Sequence, residues 1–254
     1  SPCRVGAQPR TSAPPCTKSR ANSEPASPNP KTATRVDIPP GFIPRPADVL
    51  AHTGERAIAG RSGKGSLMRR LIVGVSGASG SIYALRTLSA LRAIGEFEVH
   101  LVASEQAYRT VELETDVPRA ELEALADVVH PSTDLAASIS SGSFKTEGMI
   151  VVPCSMRSVS AIAYSLNDNL LARAADVCLK ERRTLVMVVR ETPLHVNHLR
   201  NLVRAAEAGA VILPPVPGTY ARPKTLLDVV DHTVGKVLDQ FDIPHELFQR
   251  WTGA

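Results

Sequence analysis

Where the apolar runs of this chain end, two kinds of chemistry-bearing residue recur. The first kind is small and hydroxylic. Residues 71–81, LIVGVSGASGS, run from an apolar stretch into a turn that holds Gly74, Gly77 and Gly80, with Ser76, Ser79 and Ser81 beside them. Glycines let the backbone turn tightly and come close to a ligand. The helical-looking segment that follows points its unpaired N–H groups and positive dipole end at the turn. A phosphate is the anion expected there. The spacing is G-x-x-G-x-x-G, neither the dinucleotide G-x-G-x-x-G nor a P-loop, which weakens the NAD and ATP readings. Taken alone, the turn fits a tight strand-to-helix connection equally well.

The second kind is charged. Arg157, Arg173, Lys180 and Arg190 join the hydroxyls of Ser79, Ser104, Ser155 and Ser158, a set suited to one or two phosphate monoesters. Glu191 adjoins Arg190 just past an apolar run. Burial there would raise its pKa and the cation would lower it, a balance that suits proton shuttling; a surface ion pair between the two is the plainer alternative. His195 and His198 stand at i, i+3 without a third ligand nearby and read as helix-surface histidines rather than a metal site. Cys154 has no His or Asp placed to activate it and reads as a small residue packed under a loop. The charge run LKERR over 179–183 reads as a solvated helix end.

Alternating elements must position these groups. Short apolar runs predict strands over 71–75, 98–103, 148–153, 185–189 and 210–213. Helical patterns fall over 80–93, 105–113, 118–126, 157–179 with a break at 167–169, 195–208 and 224–241. Such alternation argues for an α/β fold: one Rossmann-like (flavodoxin-like) parallel sheet with helices on both faces, a three-layer α/β/α sandwich. Ligands in these folds bind beyond the carboxyl ends of the strands. The candidate residues cluster there, at 77–81, 104, 153–158, 190–191 and 214–220.

Composition sets the limits. The 254 residues are 43% apolar, enough to form the core of one large domain. An aromatic share of 4% argues against a stacking platform for single-stranded nucleic acid. The net charge of +4 is unevenly placed: residues 1–67 hold ten Lys/Arg against four Asp/Glu, and the remainder 19 against 21. The main body therefore gives no reason to expect a nucleic-acid partner. Residues 1–67 also carry 11 of the 20 prolines and show no apolar period. They are read as a disordered Pro/Ser/Arg-rich extension, with two alternatives: a transit peptide, or an artefact upstream of a natural start at Met68. No apolar run reaches the ~18 residues of a membrane span, so no membrane partner is expected. Cys3, Cys16, Cys154 and Cys178 show no C-x-x-C spacing, and a reducing cytoplasm is the expected location, or mitochondria if the extension is a transit peptide.

Eight strings, GVSGASG, ELETD, SSGSFKTEGM, VVPCSM, LLARAADVCLKERR, VRETPLH, ILPPVPGTYARP and DHTVGKVLDQF, together with the terminal RWTGA, resemble the UbiX/Pad1 flavin prenyltransferases. The resemblance covers 68–254 in order and nearly without gaps. It implies a metal-independent transferase that moves a dimethylallyl group from dimethylallyl monophosphate to reduced FMN, supplying prenylated FMN to UbiD-type decarboxylases. By the same resemblance Gly77, Ala78, Ser79, Ser104, Ser155, Met156, Arg157, Ser158 and Arg190 hold FMN. Lys180, Arg190, Tyr220 and Lys236 hold the prenyl phosphate. Glu191 is the acid/base, Ser79 helps relay protons, and Glu114 reaches a neighbouring subunit's site. A homo-oligomer is implied, a dodecamer in the family. One departure stands out: the bacterial pattern has Arg where this chain has Lys236, which keeps the charge but loses the planar fork. An FMN-dependent decarboxylase and a non-catalytic flavin carrier remain as alternative functions.

Overall fold

The computed structural model describes residues 68–253. The extension read over 1–67, with its transit-peptide and artefact alternatives, lies outside the described residues. Six parallel strands form one sheet in the order β3-β2-β1-β4-β5-β6. They are β1 Arg69–Val75, β2 Phe97–Ala103, β3 Val128–Pro131, β4 Gly148–Cys154, β5 Thr184–Val189 and β6 Val211–Ile212. The central strands are buried on both faces, so their sequences are continuous apolar runs rather than alternating ones. The expected Rossmann-like sandwich is what forms.

Alternate residues of each strand feed two cores. Leu71, Val73 and Val75 pack with helices α1 (Ser81–Ile94), α2 (Glu105–Glu114), α3 (Arg119–Glu123) and α7 (Leu226–Asp239) on one face. Ile72, Met149, Val151 and Met187 pack with α4 (Met156–Ala163), α5 (Leu170–Lys180) and α6 (Val196–Glu207) on the other. The chain changes faces between β3 and β4, which makes the gap between β1 and β4 the topological switch point.

Sequence reading missed β3, a four-residue edge strand ending in Pro131 whose VVHP has no period to detect. The long helix expected over 157–179 is two helices, parted at the anticipated break, where the Asn169 side chain caps α5 by accepting from the Ala172 N–H. Among the described residues no helix is long and apolar enough to cross a membrane.

Candidate active site

The loops at the carboxyl end of the sheet are capped by their own hydroxyls and tied to one another by backbone bonds. Ser104 caps α2, accepting from the Ala107 N–H at 3.1 Å, and its own N–H donates to the Val75 carbonyl at 3.0 Å. Ser155 caps α4 by accepting from the Ser158 N–H, and the two hydroxyls lie 3.2 Å apart. The Arg190 N–H donates to the Cys154 carbonyl at 3.1 Å, which holds the loop after β5 against the loop after β4. Gly77 is obligatory for another reason. A Cβ there would stand 2.6 Å from the Cβ of Gln106, so a side chain would displace the start of α2. Beyond it, Gly80 sits at φ 105°, a left-handed conformation that glycine adopts without strain. Ala78 is half-buried and Ser79 exposed between these two glycines.

The phosphate expected at the start of α1 finds its place taken. The Glu114 carboxylate accepts from the N–H groups of Gly80 and Ser81 at 2.9 and 2.8 Å, so the anion at that helix end is a side chain of the chain itself. Burial pushes the Glu114 pKa up, but the Ser79 hydroxyl and the two N–H groups more than offset it and hold the carboxyl below its ordinary range. Within one chain, then, Glu114 serves its own glycine turn. The reach to a neighbouring subunit implied by resemblance concerns a contact between chains, and the bonds described are those within one.

Within the single chain the other expected residues take the following positions. Met156 points into the core, so its side chain is not free to line a pocket. Arg173 is committed to Asp176 at 3.1 Å and to the Ser140 carbonyl at 3.2 Å. Arg157 is exposed, 3.7 Å from Asp168. Glu191 is not buried: it is exposed, accepts from the Thr192 N–H at 3.1 Å, and forms no ion pair with Arg190 among the described residues. The chain by itself supplies neither the burial nor the pairing expected of that carboxyl.

The charged groups fall in three places. Arg190 stands beside the serine loops, and its positive charge acts on the Tyr83 phenol, which burial pushes to a higher pKa and which the Thr233 hydroxyl and Arg190 draw down. Tyr220 and Lys236 belong to a second group along α7. The Tyr220 hydroxyl lies 3.2 Å from His232 Nε2, its ring meets Trp251 edge-on at 6.0 Å, and Lys236 is one helical turn past His232. Burial and the Lys236 charge lower the His232 pKa. Lys180 is apart from both. Its helix begins beyond the carboxyl end of β3, where the Leu170 N–H donates to Ser132, and ends near the loop before β4, where Arg183 donates to the Phe144 and Gly142 carbonyls. With 11 residues, α5 spans about 16 Å, which puts Lys180 at the amino edge of the sheet, paired with Glu181.

Sequence reasoning missed three residues. Ser76 was seen only as a flanking hydroxyl, yet it is buried and bonded to both Pro153 and Ser155. His232 could have been found from its i, i+4 spacing to Lys236, which puts both on one helix face. Trp251 is the single tryptophan, in a tail with no pattern to place it beside Tyr220. The plainer readings of the other groups agree with the structure. Cys154 is buried and its pKa is pushed far up by burial. His195 caps α6 by accepting from the Asn197 N–H, with its ring 3.6 Å from that of His198.

Comparison with known proteins agrees with this arrangement. The flavoprotein family profile matches residues 61–246. The chain is 59% identical over 189 residues to the flavin prenyltransferase UbiX of Salmonella typhimurium and to that of Escherichia coli K12, covering 74% of this chain and the whole of each relative. A solved structure described as AnUbiX (PadA1) in complex with FMN and dimethylallyl pyrophosphate superposes with a TM-score of 0.73 at 48% identity, over 74% of this chain and all of that one. A dodecameric FMN-dependent Ubix-like decarboxylase from Escherichia coli O157:H7 superposes at 0.71 with 47% identity, over 72% of this chain and all of that one. This chain belongs to the flavoprotein family and, within it, to the UbiX flavin prenyltransferases.

Proposed function

We propose that the protein transfers a dimethylallyl group from dimethylallyl monophosphate to reduced FMN. The observation that carries this reading is the pairing, at one switch point, of a hydroxyl-lined cradle with the adjacent Arg190 and Glu191, in a chain of this family. The donors present fit FMN: Ser104, Ser155 and Ser158 offer hydroxyls suited to phosphate and ribityl oxygens, beside the exposed Gly77. Ala78, Ser79 and the Arg190 side chain would border the same ligand, with the backbone of Met156 and Arg157 beside it. When bound in its reduced form, FMN supplies the ring atoms that accept the prenyl carbon.

The chain's own tasks follow from charge. Arg190, Tyr220 and Lys236 would hold the prenyl phosphate and stabilise the negative charge that gathers on it as the carbon–oxygen bond breaks. The cations Arg190 and Lys236 hold a phosphate but are poor proton sources. Glu191 is the group that would protonate the departing phosphate oxygen and later accept the proton displaced from the flavin ring. Its exposure in the isolated chain implies that ligand, or a second subunit, covers it in the working site. Lys180, at the far edge of its own sheet, would meet a phosphate site only in another copy of the chain. This supports a homo-oligomer, proposed as a dodecamer on the example of the Escherichia coli relative. The prenylated product would pass to UbiD-type decarboxylases.

The test is anaerobic phosphate release from dimethylallyl monophosphate. Release that requires reduced FMN is the expected result. Release without flavin, or no release from either the mono- or the diphosphate, would overturn the reading.

A further inference from the structure

The ladder between β1 and β4 stops short of the site. Its last paired residues are Gly74 and Val151, and beyond them β4 shifts register against β5 between Val151 and Cys154. From there to the ligand-facing loops the sheet has no strand pairing to fix the distance between its two halves. Ser76 supplies that link. Its N–H donates to the Pro153 carbonyl at 3.3 Å, its hydroxyl donates to the same carbonyl at 2.7 Å, and its oxygen accepts from the Ser155 N–H at 2.8 Å. The residue is 3% exposed, so water cannot replace these bonds.

We propose that Ser76 is a positioning residue, a clamp across the β1–β4 crevice that sets the glycine turn and the Ser155–Ser158 loop at the separation FMN requires. The inference rests on the flavin reading of the cradle. It assigns to Ser76 no contact with flavin or substrate. Ser76 holds the Ser155 N–H while the Ser155 oxygen caps α4 at the Ser158 N–H, so the backbone and the hydroxyl of Ser155 are each tied. Losing the hydroxyl leaves the part-buried Ser155 N–H without its partner and the Pro153 carbonyl with only the longer bond from the Ser76 N–H, so the link between the two loops weakens.

Two measurements on Ser76→Ala, Ser76→Cys and Ser76→Thr decide the matter. In the flavin-free protein, Ser155 amide hydrogen exchange should accelerate by roughly tenfold or more in Ser76→Ala and return toward wild type in Ser76→Thr, which keeps the hydroxyl. FMN affinity should follow the same order, falling about tenfold to a hundredfold in Ser76→Ala, while the KM for dimethylallyl monophosphate at saturating FMN changes little. Ser76→Cys, which keeps the volume and weakens both bonds, should lie between and stands in if Ser76→Ala fails to fold. Unchanged exchange at Ser155 would overturn the clamp. A lowered melting temperature with wild-type FMN affinity would overturn its positioning role and leave it a brace of the fold. If the wild-type chain binds no FMN, the flavin reading fails, and the exchange measurement alone still decides the clamp.

Discussion

After β1, β2 and β4 the hydroxyls of Ser76, Ser104, Ser155 and Ser158 are all bonded inside the chain, whereas after β5 the residues from Arg190 to Asn197 stand exposed. The helix that follows, α6, buries only Ala205 and turns Val196, Leu199 and Val203 to solvent. The difference separates recognition from chemistry. A cradle that satisfies its own polar groups is rigid before the ligand arrives, and rigidity reduces the ordering cost of binding. The bank that carries Glu191 lacks such support. Its groups gain low dielectric and fixed geometry only when something covers them, and reactive charges are stabilised best where water is excluded.

Glu191→Gln should break the comparison most widely, if it is wrong. The variant keeps shape and removes titration, so turnover is expected to fall by roughly two to four powers of ten while FMN affinity stays near wild type. Single-turnover phosphate release and a flavin titration on the same sample give both values. Equal loss of FMN binding would place Glu191 in the cradle. Next comes the link between α1, which follows the glycine turn, and α7. Arg86 and Asp231 form a buried bidentate pair, with Nε to Oδ1 at 2.5 Å and Nη2 to Oδ2 at 3.0 Å, that ties α7 to α1. Arg86→Ala strands the Asp231 carboxylate and should cost about 3–5 kcal/mol, read from urea unfolding. A loss below about 1 kcal/mol would mean the pair behaves as an exposed one.

Lys236→Ala should be milder. It is exposed and paired with Asp239 at 3.4 Å, so its removal should raise the KM for dimethylallyl monophosphate about tenfold and leave FMN affinity alone. Lys236→Arg should match or improve on wild type, since the planar fork suits phosphate. Parallel losses for both ligands in Lys236→Ala would give Lys236 a structural role.

The smallest effect concerns pH and lies away from either bank. His100 and His130 are buried on β2 and β3 with Nδ1 and Nε2 2.9 Å apart, and His100 Nε2 is 3.1 Å from Glu98. Burial lowers both pKa values; Glu98 and Asp127 oppose this at His100 while Arg70 adds to it, and at His130 the His100 charge adds to it while Asp134 opposes. The unfolded histidines thus bind protons first as pH falls. Stability is full above about pH 6.5 and declines below it, through the depressed folded values. Urea midpoints between pH 7.5 and 5 should fall in wild type and fall less in His130→Phe.

The fold was legible because a doubly buried strand is a continuous apolar run; β1, β4 and β5 announce themselves that way, and β3 does not. The cradle was legible as a cluster of serines at strand ends. What one-dimensional reading could not supply was direction. It grouped Lys180 with Arg190, although an antiparallel helix carries Lys180 to the opposite edge of the sheet. It placed a phosphate at the start of α1, although Glu114, 33 residues beyond Ser81, reaches back to fill it. Both placements depend on contacts distant in sequence, for which neither propensity nor spacing gives a signal.

Mass spectrometry of the flavin tests the central claim most directly. The protein is incubated anaerobically with reduced FMN and dimethylallyl monophosphate, and the flavin is extracted and weighed. The account predicts a flavin heavier by one prenyl unit, formed by wild type at a rate that Glu191→Gln does not approach. Flavin of unchanged mass, recovered from protein that has bound both ligands, would contradict it.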